Sequence, residues 1–455
     1  MTPQSQSQIT QEILQGNLIK LMFKLSIPSI LGIFMISFNI FIDALFAGRF
    51  LGQNALAGIS LAMPLTSIVS GFARLVGVGS ASVLSRAIGS GDIKTQSRIF
   101  GNFIIMSMAI SGGITIFGYT FGQELIAWMG GTAEVATEGA KYFKVYILGS
   151  IFLILGEAGG EVINSEGRIK LNTIFNCVFV TVNICLNYIF LTVYNWGIQG
   201  IALATVMSMV VASSLNLVYF LAGKSLIPVN IRKLAIAIDL LPAILSVGTS
   251  ALFYPVTMLL QEFVVFNSIS HYGTNNDIAF FGATIKVTSL VYIPIIGFAQ
   301  ALQPIIGINY GAENHQRLKK AYVTFGIIGT ILLLLMWLPL QLFPSTFLNI
   351  LLPDVRLTDS DIINFRILSI LIPVWPLAFF SNTLFQAIGK GKIVIFALLL
   401  RTIFLNVPLI ILFSRLFGVT GIYSGMLLAD IIFMLIVFGL TVAEFRYLSK
   451  LKVKL

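Results

Sequence analysis

Twelve long apolar runs divide this chain, and together they hold more hydrophobic surface than one aqueous core can hide. Their approximate limits are residues 25–48, 55–87, 98–121, 139–164, 170–193, 197–222, 236–266, 278–309, 318–343, 362–388, 391–416 and 419–445. A helix needs about 20 mostly apolar residues to cross a bilayer. Within hydrocarbon every backbone polar group must be paired, and a helix does this inside its own segment. Charged residues make up only 10% of the 455, against about 25% in a soluble domain. Lipid is therefore the expected solvent. The first run starts too far from Met1, is too long and lacks a small-residue cleavage site, so it does not read as a cleaved signal peptide.

Lysine and arginine set the expected orientation. With the amino terminus inside, nineteen of the 28 fall on the inner side and six on the outer side, while Arg74, Lys286 and Arg401 lie within spans. An excess of Lys and Arg in short loops marks the cytoplasmic side. Both termini are thus expected in the cytoplasm, and the chain in the plasma (inner) membrane as a multi-pass protein. The formal charge of +10 reads as topology. No basic block with interleaved aromatics occurs of the kind a nucleic-acid groove needs, so no nucleic-acid partner is expected. Cys177 and Cys185 stand eight residues apart in one span and read as small core residues. His271 and His315 are the two histidines and fall in loops, which leaves no zinc cluster and no His-based triad in the membrane. The chain reads as a non-enzyme without a cofactor.

The second half of the chain echoes the first. Pro28 in "LSIPSIL" has a counterpart in Pro242 of "DLLPAIL", 214 residues on. "AIGSGDIKTQSR" at 87–98 matches "NYGAENHQRLKK" at 309–320, an offset of 222. "SEGRIK" at 165–170 matches "GKGKIV" at 389–394 with an offset of 224, and "GIQGIALA" at 197–204 matches "GVTGIYSG" at 418–425 with one of 221. Each half holds six spans, an even number, so both enter from the same side and the repeat is parallel. The expected fold is an all-α membrane protein of twelve transmembrane helices, in two six-helix lobes related by a pseudo-two-fold along the membrane normal. Residues 1–24 form a cytoplasmic N-terminal segment, 25–222 the first lobe, 223–235 a cytoplasmic linker, 236–445 the second lobe and 446–455 a basic cytoplasmic tail. The stretch 9–26 is amphipathic in its first part and reads either as a helix on the inner membrane surface or as a disordered lead-in.

Several strings along the whole chain resemble the multidrug and toxic-compound extrusion (MATE) family. They are "SIPSI", "DALFAGRFLGQNALAGISLAMPL" and "GVGSASVLSRAIGSGD" in the first half, and "GFAQALQPIIGINYGAEN" and "FQAIGKGK" in the second. The resemblance implies two lobes around a V-shaped cavity, alternating access, and export driven by proton or sodium entry. It also matches Asp43 to the first-helix aspartate of the family's amino-terminal-lobe site, and Pro28 to a proline where that helix has been proposed to hinge. The glycines of "GVGSASVLSRAIGSG" lack the lysine and preceding strand of a phosphate loop and read as small residues for close helix approach.

Charges in the lipid zone carry the functional expectations. An aspartate at the centre of a membrane helix costs about 2.5–3.5 kcal/mol on insertion scales. Asp43 therefore reads as a cation or proton site, or as a structural carboxylate with a partner. Asn183 and Asn187 lie at i and i+4, on one helix face. Many prokaryotic members of the resembled family carry an aspartate at the second position, so a site of Asp43, Asn183, Asn187 and Thr205 holds one formal charge, with H+ or Na+ as the coupling ion. Arg74, Glu157 and Glu161 are expected at similar depth, either as a register-fixing ion pair or with a spare carboxylate that replaces the acid absent at Asn187. Glu262 and Lys286 are expected to pair near the outer leaflet, and Arg401 with Asp430 near mid-depth. The favoured function is a monomeric secondary exporter (a cation antiporter) of amphipathic, often cationic organic compounds. The alternative is a lipid-linked oligosaccharide flippase of the same superfamily, which favours a cationic cavity.

Overall fold

The computed structural model describes residues 3–130, 133–229, 234–353 and 357–451. Arg232, Lys233, Arg356, Lys452 and Lys454, which enter the charge count above, lie outside the described residues, as do parts of the expected linker and tail. Where the sequence is apolar the chain is helical, and where charge, glycine or an Asx residue interrupts it the chain turns. After a short helix α1 (Pro3–Gln15), the first lobe comprises α2 (Leu18–Phe46), α3 (Gln53–Ser90), α4 (Ile93–Trp128), α5 (Ala133–Leu148), α6 (Ser150–Ser165), α7 (Ile169–Tyr188) and α8 (Gly197–Leu221). α5 and α6 form one span bent by 62° at Gly149. The second lobe comprises α9 (Leu241–Tyr272), α10 (Asn275–Gly311), α11 (His315–Leu342), the short α12 (Pro344–Leu351), α13 (Asp359–Ser369), α14 (Trp375–Ala387), α15 (Gly391–Leu399) and α16 (Val407–Leu451).

Among the described residues, ten helical stretches are long and apolar enough to span a bilayer, and the bent α5–α6 pair is an eleventh. The last stretch, Gly391–Leu451, supplies two spans because it reverses at Gly418, where φ is 63° and ψ −140°. Beyond that point Gly421 lies against the Phe413 carbonyl and Gly425 against that of Leu409, which is the close return of a hairpin. The protein therefore has the twelve-helix, two-lobe fold.

The repeat is visible in the backbone. Gly91 (φ 70°) ends α3 and Asp92 caps α4 by accepting from the Thr95 N–H at 3.0 Å; Glu313 (φ 57°) and Asn314 repeat the device before α11, with Asn314 accepting from the Arg317 N–H at 3.2 Å. Positive φ allows the sharp reversal, and the Asx side chain satisfies an N-terminal donor. Gly197 (φ 58°) and Gly418 (φ 63°) form a second matched pair. Near "SEGRIK" the backbone corrects the sequence register. The left-handed residues there are Gly167 and Gly389, so Arg168 corresponds to Lys390, each capping its helix with φ −94°. The offset is 222, two residues less than the side-chain similarity suggested.

The lobes meet along α3, which packs on α9, α10 and α14. Small residues make this approach possible. A Cβ at Gly79 would collide with the Ile244 carbonyl, one at Gly89 with Ile308, one at Gly248 with Leu75 and one at Gly311 with Arg86. Around these positions Arg86 Nη1 donates to the Ile388 carbonyl at 2.9 Å and Ser82 Oγ to that of Gln386 at 2.5 Å. All these contacts lie on the half of α3 that ends beside α1 and the end of α16, the face where both described ends of the chain lie. That face is sealed.

Candidate functional site

α2 carries Asp43 into the middle of the first lobe, where α7 and α8 pack beside it. Its carboxylate is 8% exposed. Asn187 Nδ2 donates to Asp43 Oδ1 at 2.6 Å, and Asn39 Nδ2 donates to Oδ2 at 3.3 Å. Asn187 Nδ2 also reaches Asn183 Oδ1 at 2.9 Å, and Asn183 Nδ2 donates to Thr205 Oγ1 at 3.3 Å. The i, i+4 spacing of Asn183 and Asn187 places both on the helix face turned to Asp43. Tyr142 of α5 is within hydrogen-bonding reach of Thr205 and completes the wall.

Two oxygens in this site have no donor: Asn39 Oδ1 and Asn187 Oδ1 are buried without a partner among the described residues. Buried acceptors are nearly always satisfied. Both amides present their nitrogen to Asp43 and leave an oxygen free beside it, so the neighbourhood is rich in the oxygen acceptors that a small cation takes. Asn39 was not among the residues singled out from the sequence. The signal was present, since it stands one turn before Asp43 at i, i+4. Both site helices relax into a π-turn just past the site, at Ala47–Leu51 after Asp43 and at Ile189–Val193 after Asn187. Such turns concentrate at functional positions.

Pro28 sits within an unbroken α2, and its carbonyl accepts from Thr173 Oγ1 of α7 at 2.7 Å. Just beyond it Ser29 Oγ donates to Gln300 Oε1 of α10 at 2.5 Å, and Ile30 lies against Gly297. The near half of α2 thus touches both lobes, α7 through Pro28 and α10 through Ser29 and Ile30, while Asp43 is held within the first.

Glu157 and Glu161 of α6 do lie at the depth of α3 expected from the sequence. Ser70 Oγ donates to Glu157 Oε1 at 3.0 Å, and a Cβ at Gly77 would touch the Glu161 side chain. The register-fixing ion pair does not form: no carboxylate comes within 4.0 Å of the Arg74 guanidinium. Arg74 acts on both acids only through space. Arg74 and Glu157 both keep exposed surface, and the Glu157 carboxylate takes its hydrogen bond from Ser70 instead. Gln300 of the second lobe is within reach of Glu161, so this group stands at the seam between the lobes.

In the second lobe, Arg401 Nε donates to Asp430 Oδ1 at 2.8 Å and Nη2 to Oδ2 at 3.4 Å. The guanidinium also lies 4.8 Å from the centre of the Trp375 ring. Arg401 is 7% exposed, and a π-helical stretch, Leu400–Asn406, surrounds it. Glu262 and Lys286 are each exposed and form no ion pair with one another. The expected pair is therefore absent.

Sequence reasoning also missed Glu166, which is 0% exposed in the turn after α6. It accepts from Tyr219, Ser225 and the Leu226 N–H. Burial pushes this carboxyl up, and the Ser225 and Tyr219 hydroxyls oppose that shift. The string "SEGRIK" marked the repeat, but nothing local showed that the segment 219–226 folds over it.

Comparison with known proteins gives consistent results. The MatE family profile matches residues 28–189 and 249–412, two stretches separated by nearly the distance of the sequence repeat. Multidrug export protein MepA of Staphylococcus aureus is 25% identical over 421 residues, covering 90% of each chain. The MepA of Staphylococcus saprophyticus is 24% identical over 422 residues and 92% of each. A crystal structure of MATE in the bent conformation superposes with a TM-score of 0.92 at 23% identity, over 98% of this chain and 99% of that one.

Proposed function

Because the chain belongs to the MatE family, we propose that it is a secondary active exporter that moves amphipathic, often cationic organic compounds outward while a cation enters. The carrying observation is the Asp43 site, with one buried carboxylate and two amide oxygens, Asn39 Oδ1 and Asn187 Oδ1, lacking donors. A cation arriving there neutralises the Asp43 charge; Na+ can draw on several oxygens at once, whereas a proton on the carboxyl can donate to one acceptor. Leaving again requires water to reach Asp43. The coupling ion is H+ or Na+, because the oxygen set suits either.

The charge bias of the loops supports a cytoplasmic position for the sealed face, where both described ends lie. In that orientation the sealed seam of α3, α9 and α10 closes the inner side, and the cycle requires it to part. Asp43 lies on the same helix whose near half is fastened to α10 through Ser29 and Ile30. A change of occupant at Asp43 is thereby linked to the lobe contact through one rigid element. Glu157, exposed near the seam and unpaired, is the group we assign as the second acid of the lobe, in place of the one absent at Asn187.

The flippase alternative needs free intramembrane cations to hold pyrophosphate. Arg401 is committed to Asp430 and Trp375 and Arg74 faces two carboxylates, which supports the exporter and leaves Lys286, which forms no ion pair among the described residues, as the span cation the alternative would have to use. The test is efflux of a fluorescent organic cation from proteoliposomes, with pH and sodium gradients imposed separately. Efflux that follows one gradient is expected. Efflux indifferent to both overturns the antiport reading.

A further inference from the structure

α1 is in contact with both lobes. Ile13 is 0% exposed. On the first-lobe side Ile9 and Ile13 pack on Gly167, where a Cβ would stand 2.9 and 3.0 Å from them, and Glu12 pairs with Lys24 of α2 at 2.5 Å. On the second-lobe side Arg317, in the first turn of α11, reaches the end of α1. Its Nε donates to the Ile13 carbonyl at 2.8 Å, and its Nη2 to those of Gly16 at 2.5 Å and Glu12 at 3.5 Å. Asn309 Nδ2 adds a bond to the Ile13 carbonyl at 3.4 Å.

The Glu12 and Ile13 carbonyls belong to the last turn of α1 and that of Gly16 follows it directly, at the end where a helix presents carbonyls and a partial negative charge. A guanidinium is well matched to that end. Among the described residues Arg317 forms no ion pair, so its charge is spent on this contact. The two contacts differ in kind. Two residues, Gly16 and Asn17, join α1 to the start of α2, and the Glu12–Lys24 pair and the packing of Ile9 and Ile13 on Gly167 hold it to the first lobe. The bonds from Arg317 and Asn309 cross between lobes, and they break if the sealed face opens.

We propose that α1 is a strap that holds this face shut, with the Arg317 cap as its releasable clasp. The proposal rests on the exporter reading only in that the lobes rock. Its readout is a distance in the absence of substrate and gradients, so the two can fail separately.

The test uses the full chain in lipid nanodiscs with Cys177→Ser and Cys185→Ser. Spin labels are placed at Lys170→Cys and Lys392→Cys, which are exposed at the start of α7 and α15. Pulsed electron–electron resonance then gives the distance distribution across the sealed face. In Arg317→Gln the ratio of long-distance to short-distance populations is expected to rise about tenfold or more, as removal of a hydrogen bond to a charged donor implies. Deletion of residues 3–15 is expected to raise it at least as much, and it keeps the proposal testable if Arg317→Gln folds poorly. An unchanged distribution in the deletion overturns the strap. A rise in the deletion with none in a folded Arg317→Gln overturns the clasp.

Discussion

Replacing Asp43 by asparagine removes a charge and almost no volume, which makes it the sharpest probe of the coupling site. Asp43 accepts from Asn187 at 2.6 Å and from Asn39 at 3.3 Å. The asparagine keeps one oxygen as an acceptor and presents an NH2 group at the other position. That group can face Asn39 Oδ1 or Asn187 Oδ1, both without a donor at present. A hydrogen bond to a charged group contributes about 1.5–3 kcal/mol and a neutral one about 0.5–1.5 kcal/mol. Removing a buried charge also relieves a desolvation cost of several kcal/mol. These terms offset one another, so Tm is expected to stay within about 2 °C of the parent. Cation binding has no such offset. Asp43 is the only formal charge in its site, and losing one charge-assisted contact weakens the ion by about ten- to 150-fold. Gradient-driven efflux from proteoliposomes is expected to disappear, with thermal unfolding measured on the same preparation. Efflux at the parental rate removes Asp43 from coupling. Loss of efflux together with a Tm drop of more than about 5 °C refutes the coupling role in favour of a structural one.

Three other outcomes follow from the geometry. Arg401→Ala leaves Asp430 buried and unpaired, and is expected to cost about 3–5 kcal/mol, whereas Arg401→Met with Asp430→Leu is expected to recover most of it; thermal unfolding of the three proteins checks this. Arg74→Ala removes a side chain that forms no ion pair among the described residues and is expected to change stability by less than about 1 kcal/mol; a larger loss means that Arg74 closes on Glu157 or Glu161 after all. Gly248→Ala drives a methyl group into the Leu75 carbonyl and is expected to cost about 1–3 kcal/mol by overpacking, read as a lower Tm.

The positions of the twelve spans were legible because each span is set by a local property, a run long and apolar enough to cross lipid, ended by charge or a turn residue. The two-lobe plan was legible because repeated turn chemistry, Gly91–Asp92 and Glu313–Asn314, survives as repeated letters. Asp43, Asn183, Asn187 and Thr205 were placed together by helical spacing and by resemblance, and they do meet. Depth was also readable, since Glu157 sits beside Ser70 of α3 as residue counting suggested. What counting could not give was the choice of partner. Arg74 and Arg401 both lie within spans near acids, yet Arg401 closes on Asp430 beside Trp375 while Arg74 forms no ion pair among the described residues. Depth along a helix follows from the sequence at 1.5 Å per residue; rotation about its axis, and the burial that makes an ion pair form, depend on neighbours distant in the chain. The same holds for Glu166 under the segment 219–226, and for α1, whose amphipathic pattern fits a membrane surface as well as a seam. The sequence by itself determined the solvent, the spans and the repeat, because those come from transfer free energy and local turns. Tertiary structure alone decided which charges pair, which oxygens stay unsatisfied and what the first helix fastens, because those depend on helix faces brought together across two lobes.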